Sequence, residues 1–598
     1  MSAGSSSETR AGSQNTDTRA SLMQLPPEIL WDITSYIKPS GLASLVRVCR
    51  RAYEICISRL YETIVLSPAG LRKPNALLKN GNINLRHVRS IQVIGDSEEA
   101  GYWLSDLSDD TIDQVFYELG RQLDRFLSFL GNDTLQEFVW QTNLALGKST
   151  ADYLLQNQQK VQKLILHRLG PPRSSFMDNS FIAGVLGLQS FDFCTSLLGQ
   201  YKLVWLDVKD VGGFTELKSL LTAIFQNQHT LKHLRFGFPS YDADRLAYNA
   251  AGISSLSWAK DSIQDAIAAC GINLESTTQT MFPALRSIEV SDFEISADES
   301  REATSLINGI IKLRQVQSLK FRNCGYLDST IWPLIASPFQ ISVLHLTICQ
   351  DVTAIYEYLE KQAIVTTLTE LRLIIQVRSE TRFPDLRRHA NTLRILYLAM
   401  VNNHDYRPQD TAMGMTHMFP TPIGTIYQLM SLPRLQELAI TLQNPDVSPI
   451  KLDEKSFTSL RVLWILSAND LIEPRRHHVR GGFFDLISMA PTPSLIEMVK
   501  TRKGHLDKIF GKTSFYPSKL EIIGIGLKEN YEHPEDILLI PKVLPHGHEL
   551  RPETEIQDFN RVRKAVTALL PVSLSREDYS WIKVFELGKG IWGHSAWA

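Results

Sequence analysis

Basic and aromatic side chains recur between the apolar residues of a short, repeated sequence pattern. They are Arg235, Lys320, Arg322, His345, Arg372, Tyr397 and Trp464. Guanidinium groups bind carboxylates and phosphates through paired hydrogen bonds, and Trp, Tyr and Arg dominate the binding energy of protein interfaces. We therefore predict a surface that grips an acidic or phosphorylated protein segment, with Tyr397 and Trp464 as anchors.

Arrangements of nucleophile, base and metal ligands that are typical of enzymes do not stand out in the sequence. There is no GxSxG motif, glycine-rich phosphate loop or HExxH motif, and the adjacent His477 and His478 have no further ligands at a spacing that suits zinc. The six cysteines form no CxxC pair, which favours reduced thiols in an intracellular protein. We expect a non-catalytic chain with no metal and no cofactor.

The candidate binding residues belong to a pattern that reads apolar, two of any type, apolar, one of any type, apolar. The pattern begins at Val88, Leu135, Val161, Leu188, Leu231, Leu285, Val316, Ile341, Leu368, Leu393, Leu435, Leu460 and Leu520. Several neighbouring occurrences are roughly 26 residues apart, and one such motif per period in the twenties is typical of leucine-rich repeats. The alternative is chance, because leucine is common in this chain.

Each motif predicts a short strand, and alternate side chains of a strand face opposite sides. No single unit buries its own apolar face, so the units must stack. We predict an α/β fold in which residues 88–529 form an irregular leucine-rich-repeat solenoid, a curved parallel sheet with helices and loops on its convex side. The candidate residues then line the concave side, unless the basic ones are only solvated and Trp464 is covered by residues 530–598, a predicted cap or tail.

A stretch near the start, Leu25–Tyr61, has more apolar surface than so small a unit can bury within itself. The prolines at 26–27 suit the first turn of a helix, where the backbone N–H has no partner to lose. Ile29, Ile33 and Ile37 then follow on one stripe at a spacing of four. Three short helices are predicted, and their spare apolar faces need either the rest of the chain or a partner protein.

The stretch resembles an F-box. The resemblance rests on the opening Leu25-Pro26-Pro27-Glu28-Ile29, the Leu42 and Leu45 pair, Val48-Cys49-Arg50 and the closing Arg59-Leu60-Tyr61. F-box domains bind the Skp-family adaptor of a cullin-type ubiquitin ligase, so the resemblance implies an adaptor surface here. That surface is expected at Leu25, Pro26, Ile29, Leu30, Ile33, Ile37, Leu42, Leu45, Val48, Cys49 and Tyr53. The alternative is a helical cap on the next domain.

Composition and charge set the remaining expectations. The 598 residues include 62 basic and 64 acidic ones, and a net charge of −2 favours neither nucleic acid nor a membrane as a partner. The polar residues 1–20 are expected to be disordered, followed by the F-box at 22–62 and a connector at 63–87. We expect the protein in the cytoplasm, the nucleus or both.

Taken with the resemblance, these features predict the substrate-recognition subunit of a Skp/cullin/F-box ubiquitin ligase. The F-box would bind the adaptor and, through it, a cullin, while the repeats would bind an unknown protein substrate. A scaffold that uses the same module outside a ligase is the alternative, and a hydrolase or transferase is disfavoured because no nucleophile–base pair is found.

Overall fold

A computed structural model describes about two fifths of the chain. The described residues are 25–66, 82–94, 120–141, 146, 148–167, 201–209, 214–237, 282–291, 316–322, 324, 341–349, 353–361, 367–376, 383–401, 418–419, 421–442, 457–467, 522–525 and 538–541. The predicted disorder of residues 1–20, the motif at Leu188, and most of the predicted tail at 530–598 lie outside these ranges.

Three helices form a small module at the start of the described chain. They are α1 (Pro27–Ser35), α2 (Pro39–Leu45) and α3 (Arg50–Glu62). Proline opens α1 and α2, where its fixed φ angle suits the first turn, and the Cys49 Sγ atom accepts a hydrogen bond from the Ala52 N–H at the start of α3. A core of Leu30, Leu42, Ile55 and Cys56 holds the three helices together.

The module continues into a β-sheet without a break in the backbone. Strand β1 (Thr63–Leu66) begins directly after α3, and the Glu62 carbonyl accepts a hydrogen bond of 2.8 Å from the Arg89 N–H. The Tyr53 hydroxyl also donates to Asn84 Oδ1 at 3.2 Å. Part of the segment that was predicted as a connector, 63–87, is therefore a strand and a 3₁₀ helix (Ile83–His87) that packs on α3.

Sixteen strands in the described ranges join in one sheet. After β1 they are β2 (Ser90–Ile94), β3 (Glu137–Gln141), β4 (Lys163–Leu166), β5 (Trp205–Val208), β6 (His233–Gly237), β7 (Ser287–Ser291), β8 (Ser318–Arg322), β9 (Val343–Cys349), β10 (Glu370–Gln376), β11 (Ile395–Val401), β12 (Met418–Phe419), β13 (Glu437–Leu442), β14 (Val462–Ser467), β15 (Ile522–Ile525) and β16 (Leu538–Pro541). Their order in the sheet is their order in the chain, except that β12 lies off this path beside β11.

Pairing is parallel from β1 to β15, while β12 and β16 pair in the antiparallel sense with β11 and β15. The predicted α/β class and parallel sheet are confirmed. Strand β5, whose Leu203, Leu206 and Val208 fit the repeated pattern, was missed, and β16 lies in the segment predicted to be a cap or tail.

Helices cover one side of the sheet. They are α4 (Lys148–Asn157), α5 (Phe214–Gln226), α6 (Thr353–Lys361) and α7 (Ile423–Met430), together with a helical segment at 120–127 and a 3₁₀ helix at Arg387–His389. Buried residues of these helices, such as Leu154, Leu220 and Leu359, share one apolar core with the repeated apolar residues of the strands. We call this side of the sheet the leucine face.

One backbone arrangement recurs at the start of nearly every strand. A single carbonyl accepts the N–H groups of two successive residues in the next strand, with N···O distances of 2.7 to 3.1 Å. The acceptors are Arg89, Gln136, Gln162, Val204, Lys232, Arg286, Gln317, Ser342, Thr369, Arg394 and Gln436. These residues therefore stack in a row, one per strand, along the edge of the sheet where the parallel strands begin.

Two buried amide side chains also join adjacent units. The Gln158 Oε1 atom accepts hydrogen bonds from the N–H groups of Thr134 and Leu135, both at 3.0 Å. The Asn227 Oδ1 atom accepts one from the Leu203 N–H at 2.7 Å. Both amides are almost fully buried, so each satisfies backbone donors that water cannot reach.

Replacing Gln158 by Leu should lower the free energy of unfolding by about 1–3 kcal/mol, because two buried N–H groups lose their acceptor. Hydrogen exchange at the Thr134 and Leu135 amides, together with denaturant unfolding, measures the loss. The matched control is Gln159→Leu, at the neighbouring exposed position. Equal effects of the two substitutions would show that the buried amide contributes nothing specific.

Candidate functional site

Large apolar side chains are exposed on the three-helix module. Ile29, Trp31, Tyr36, Val48 and Tyr53 are 46%, 55%, 89%, 68% and 39% exposed. Large apolar groups that are exposed together on one small unit can mark a protein-interaction site. We call these five residues the apolar surface of the module.

The structure divides the predicted adaptor-binding residues into three groups. Pro26, Ile29, Val48, Cys49 and Tyr53 are exposed, and Leu25, Ile33, Ile37 and Leu45 are half-buried. Leu30 and Leu42 lie in the core of the module at 2% and 3% exposure, so the structure does not bring them to the surface, and their contact with a partner stays a prediction. Their role is to hold the helices that carry the exposed groups.

Trp31 and Tyr36 were not among the predicted residues, although they belong to the apolar surface. Neither lies on the stripe of isoleucines at a spacing of four that defined the predicted face of α1. The available signal was their type, because exposed Trp and Tyr are enriched where proteins bind one another.

The side of the sheet opposite the leucine face carries polar and charged residues, and we call it the polar face. Its middle row runs across neighbouring strands in register, one residue per strand. From β5 to β11 the row consists of Asp207, Arg235, Glu289, Lys320, His345, Arg372 and Tyr397. All five predicted residues of this row therefore share one face, as the alternation of side chains requires.

Arg235 is held between two carboxylates of the polar face. Its Nε atom lies 3.0 Å from Glu289 Oε1, and its Nη1 atom lies 3.6 Å from Asp207 Oδ2. Cross-strand pairs of opposite charge stabilise a sheet, and here they already neutralise the guanidinium group. An acidic partner would have to compete with these two carboxylates for Arg235, and the predicted contact of Arg235 with a substrate stays a prediction.

His345 is paired within the chain as well. Its Nε2 atom lies 2.7 Å from Glu370 Oε1, and the imidazole side chain is 7% exposed. Burial lowers the pKa of His345, and the hydrogen bond with Glu370 partly opposes that effect. The predicted contact of His345 with a substrate is not supported, because the ring is buried against its neighbours.

The two predicted aromatic anchors are buried. Tyr397 and Trp464 are 0% and 5% exposed, and their rings meet edge to face at 5.7 Å across Ala439 of β13. The Arg372 guanidinium group lies 5.7 Å from the Tyr397 ring centre. This burial does not favour Tyr397 and Trp464 as surface anchors, and their role stays a prediction. The alternative, in which residues 530–598 cover Trp464, involves residues that lie mostly outside the described ranges.

The first residues of strands β3 to β6 form another row of the polar face. This row carries aromatic and charged groups that were not predicted as a site. The Lys163 Nζ atom lies 2.6 Å from Glu137 Oε1 and 5.1 Å from the Trp205 ring centre. The Trp205 and His233 rings stack at 4.5 Å. Trp205 was missed because strand β5 was missed, and the motif formed by Leu203, Leu206 and Val208 is the signal that would have found it.

Exposure separates the two ends of the polar face. On β3 to β8 the side chains of Lys163, Trp205, His233, Lys320 and Arg322 are half-exposed. On β9 to β14 most polar-face residues are buried, including Thr347, Ile374, Ala399, Ala439 and Thr441. The accessible part of the polar face is therefore its β3–β8 half, which keeps two of the predicted basic residues, Lys320 and Arg322.

Two buried ionisable groups lie at the centre of this half. His167 lies 4.0 Å from Asp207 and 3.2 Å from the Gln141 amide nitrogen. Burial, reinforced by Lys209 and Arg235, lowers the pKa of His167 to about 2. Burial also raises the pKa of Asp207, against the opposing effect of Arg235 and Lys209. His167 is therefore neutral in the folded protein at neutral and mildly acidic pH.

Metal and membrane sites were also considered. Within the described ranges, no cluster of three or more His, Cys, Asp or Glu side chains has the geometry to hold a metal ion. Among the helices that the structure describes, none is both long enough and apolar enough to span a bilayer.

The comparisons with known proteins agree with the helical module. Residues 22–67 match the F-box-like family, so the three-helix module is an F-box-like domain. No curated protein matches the chain. Among solved structures, the chain is similar to the yeast Rad7–Elc1 complex at 11% identity, with 77% of this chain and 91% of that chain covered and a TM-score of 0.27.

Replacing His167 by Gln should make the protein less sensitive to acid. The unfolded chain protonates His167 below its ordinary pKa of 6.5, whereas the folded chain does so only near pH 2, so stability falls as the pH drops below 6.5. Between about pH 7.5 and about pH 5, the free energy of unfolding of the variant should fall by about 2 kcal/mol less than that of the wild type.

Denaturant unfolding at several pH values measures this difference. The control is His229→Gln, at an exposed position before β6, which should follow the wild-type pH dependence. If the two variants respond to acid alike, the burial of His167 does not set the acid sensitivity.

Proposed function

We propose that the protein is a substrate-recognition subunit of a Skp/cullin/F-box ubiquitin ligase. The observation that carries this proposal is the F-box-like domain at 22–67, together with the apolar surface that its helices expose. In this proposal the domain binds a Skp-family adaptor and through it a cullin, and the sheet binds a protein substrate. We place this activity in the cytoplasm, the nucleus or both.

The exposed groups of the module support an adaptor site. Ile29, Trp31 and Val48 are each about half exposed or more, and none contributes to the core of Leu30, Leu42, Ile55 and Cys56. Large apolar and aromatic groups of this kind supply most of the energy of a typical protein interface. Because the module has its own core, its remaining apolar groups are available to a partner.

We also propose that the sheet is the inner wall of an irregular leucine-rich-repeat solenoid. Two observations favour this arrangement. The parallel strands follow one another in chain order, and at the start of nearly every strand one carbonyl of the preceding unit accepts two N–H groups. Stacked units of this kind share one continuous apolar core, as the strands and helices do here.

The accessible half of the polar face is our candidate for the substrate site. It presents Lys163, Trp205 and His233 in one row and Lys320 with Arg322 on β8. Lys320 and Arg322 are half-exposed on the accessible half of this face, so we choose them as the basic groups for an acidic substrate segment.

In this role the chain needs no catalytic group of its own. Binding a substrate and an adaptor at once raises the effective concentration of a substrate lysine near the ubiquitin-charged enzyme of the complex. A second candidate is a scaffold that uses the same surfaces outside a ligase. Co-purification separates the two, because a ligase subunit brings down adaptor and cullin together, whereas a scaffold brings down adaptor alone.

The double substitution Ile29→Ser with Val48→Ser should weaken adaptor binding by about tenfold or more, because it removes two exposed apolar contacts. The melting temperature should stay within about 2 °C of the wild type, because neither side chain packs in the core. Calorimetric titration with a purified Skp-family adaptor measures the affinity. Tyr427→Ser, at an exposed aromatic residue of α7, is the control, and full adaptor binding by the double variant would contradict the proposed site.

The double substitution Lys320→Ala with Arg322→Ala should reduce substrate capture several-fold while leaving adaptor binding intact, because only the polar face is changed. The candidate substrates are the proteins that accumulate in cells when the Ile29→Ser, Val48→Ser variant replaces the wild type. Their capture by each variant is then measured under proteasome inhibition. The control removes two exposed basic residues elsewhere, Arg47→Ala with Arg125→Ala. Unchanged capture by the β8 variant would exclude this half of the polar face as the site.

A further inference from the structure

The edge of the sheet where the parallel strands begin carries an unbalanced set of charges. Two rows of residues define it, since the repeated backbone hydrogen bonds align equivalent positions of successive units. The inner row consists of Arg89, Gln136, Gln162, Val204, Lys232, Arg286, Gln317, Ser342, Thr369, Arg394, Gln436 and Arg461. The outer row, which precedes the first apolar residue of each motif, consists of His87, Thr134, Lys160, Lys202, Thr230, Ala284, Thr367, Thr392, Arg434 and Ser459. We call the two rows the strand-start edge.

The strand-start edge is basic although the chain is not. The inner row contains five basic residues and the outer row three, and neither row, in the part of the chain that the structure describes, contains an acidic residue. The whole chain has 62 basic and 64 acidic residues. A surface of this size with the average composition of the chain would carry both basic and acidic residues. The edge therefore differs from the rest of the molecule in its charge.

The basic side chains fall in two groups along the edge. Lys160, Lys202, Lys232 and Arg286 precede four consecutive strands, β4 to β7. Arg394, Arg434 and Arg461 precede β11, β13 and β14, which are neighbours in the sheet. Each group draws on both rows, and adjacent strands lie about 4.8 Å apart, so its charges are close enough for flexible lysine and arginine side chains to reach one ligand.

Five of the seven basic side chains in these two groups are exposed. Lys160, Lys202, Lys232, Arg394 and Arg434 are all exposed. Arg89 is different, because its guanidinium group donates to the carbonyls of Val88 and Thr134 and so has a structural role. Acidic residues in the nearby turns are engaged locally: Asp133 accepts a hydrogen bond from the Gln159 N–H at 2.7 Å, and Asp385 pairs with Arg387.

We infer that the strand-start edge binds an extended acidic segment of a protein partner. Closely spaced cations of this kind complement a run of carboxylates, and the Gln, Ser and Thr residues of the two rows can donate hydrogen bonds to peptide carbonyls. A protein segment fits better than single-stranded nucleic acid, because neither row offers an exposed aromatic side chain on which bases stack. This surface lies beside the polar face and does not depend on the proposed adaptor or substrate sites.

The test uses the full chain and a fluorescently labelled polyglutamate peptide. Fluorescence anisotropy should show binding that weakens several-fold as the salt concentration rises from about 0.05 M to about 0.3 M, since added salt screens exposed charges. Lys202→Glu with Lys232→Glu should weaken binding by about tenfold, because two attractive contacts become repulsive. The control Arg47→Glu with Arg125→Glu changes the net charge equally at exposed positions away from the edge and should bind like the wild type.

Several results would overturn the inference. They are no binding of polyglutamate at low salt, equal weakening in the two double variants, and tighter binding of an oligothymidylate with the same charge than of polyglutamate. The last result would assign the edge to nucleic acid. Loss of adaptor binding in the Lys202→Glu, Lys232→Glu variant would indicate misfolding. The companion variant Lys202→Gln with Lys232→Gln, which removes the positive charges without adding negative ones, must then show a selective loss of polyglutamate binding.

Discussion

The whole sheet depends on one repeated backbone interaction, the carbonyl that accepts two N–H groups of the next strand. It recurs from Arg89 to Gln436 and sets each unit in register with the one before. A slip of one residue would turn every apolar side chain to the opposite face, so this register is what keeps the leucine face inside. The polar face and the strand-start edge follow from the same register, because it also aligns the residues that the core does not use.

Much of the fold was predictable from the sequence because the leucine face is continuous. Residues such as Leu164, Leu371 and Leu438 are fully buried, and burial of this kind imposes the apolar spacing that marks a strand. The misses have physical reasons. Strand β1 is only four residues long and follows α3 without a turn, and β16 returns in the antiparallel sense, so neither belongs to the repeated unit.

The candidate site was less predictable, since alternation tells which face a side chain occupies but not what lies beside it. Arg235 was correctly placed on the polar face, but its carboxylate partners belong to neighbouring strands, and one of them, Asp207, is on a strand that was missed. Tyr397 and Trp464 have the residue types of interface anchors and yet are buried. Their burial depends on long-range packing, which no local sequence pattern encodes.

The proposed function requires that the module and the sheet keep a restricted relative orientation, and the connection between them meets this requirement. Delivery of a substrate to a distant enzyme is efficient only if the binding surfaces hold a restricted relative orientation. Here α3 runs into β1 without an intervening loop, the Glu62 carbonyl accepts the Arg89 N–H, and Tyr53 bonds Asn84. Tyr53 is exposed on the module and its hydroxyl donates to Asn84 of the 3₁₀ helix that precedes β2. An adaptor that contacts Tyr53 would therefore be oriented by this segment as well as by the three helices.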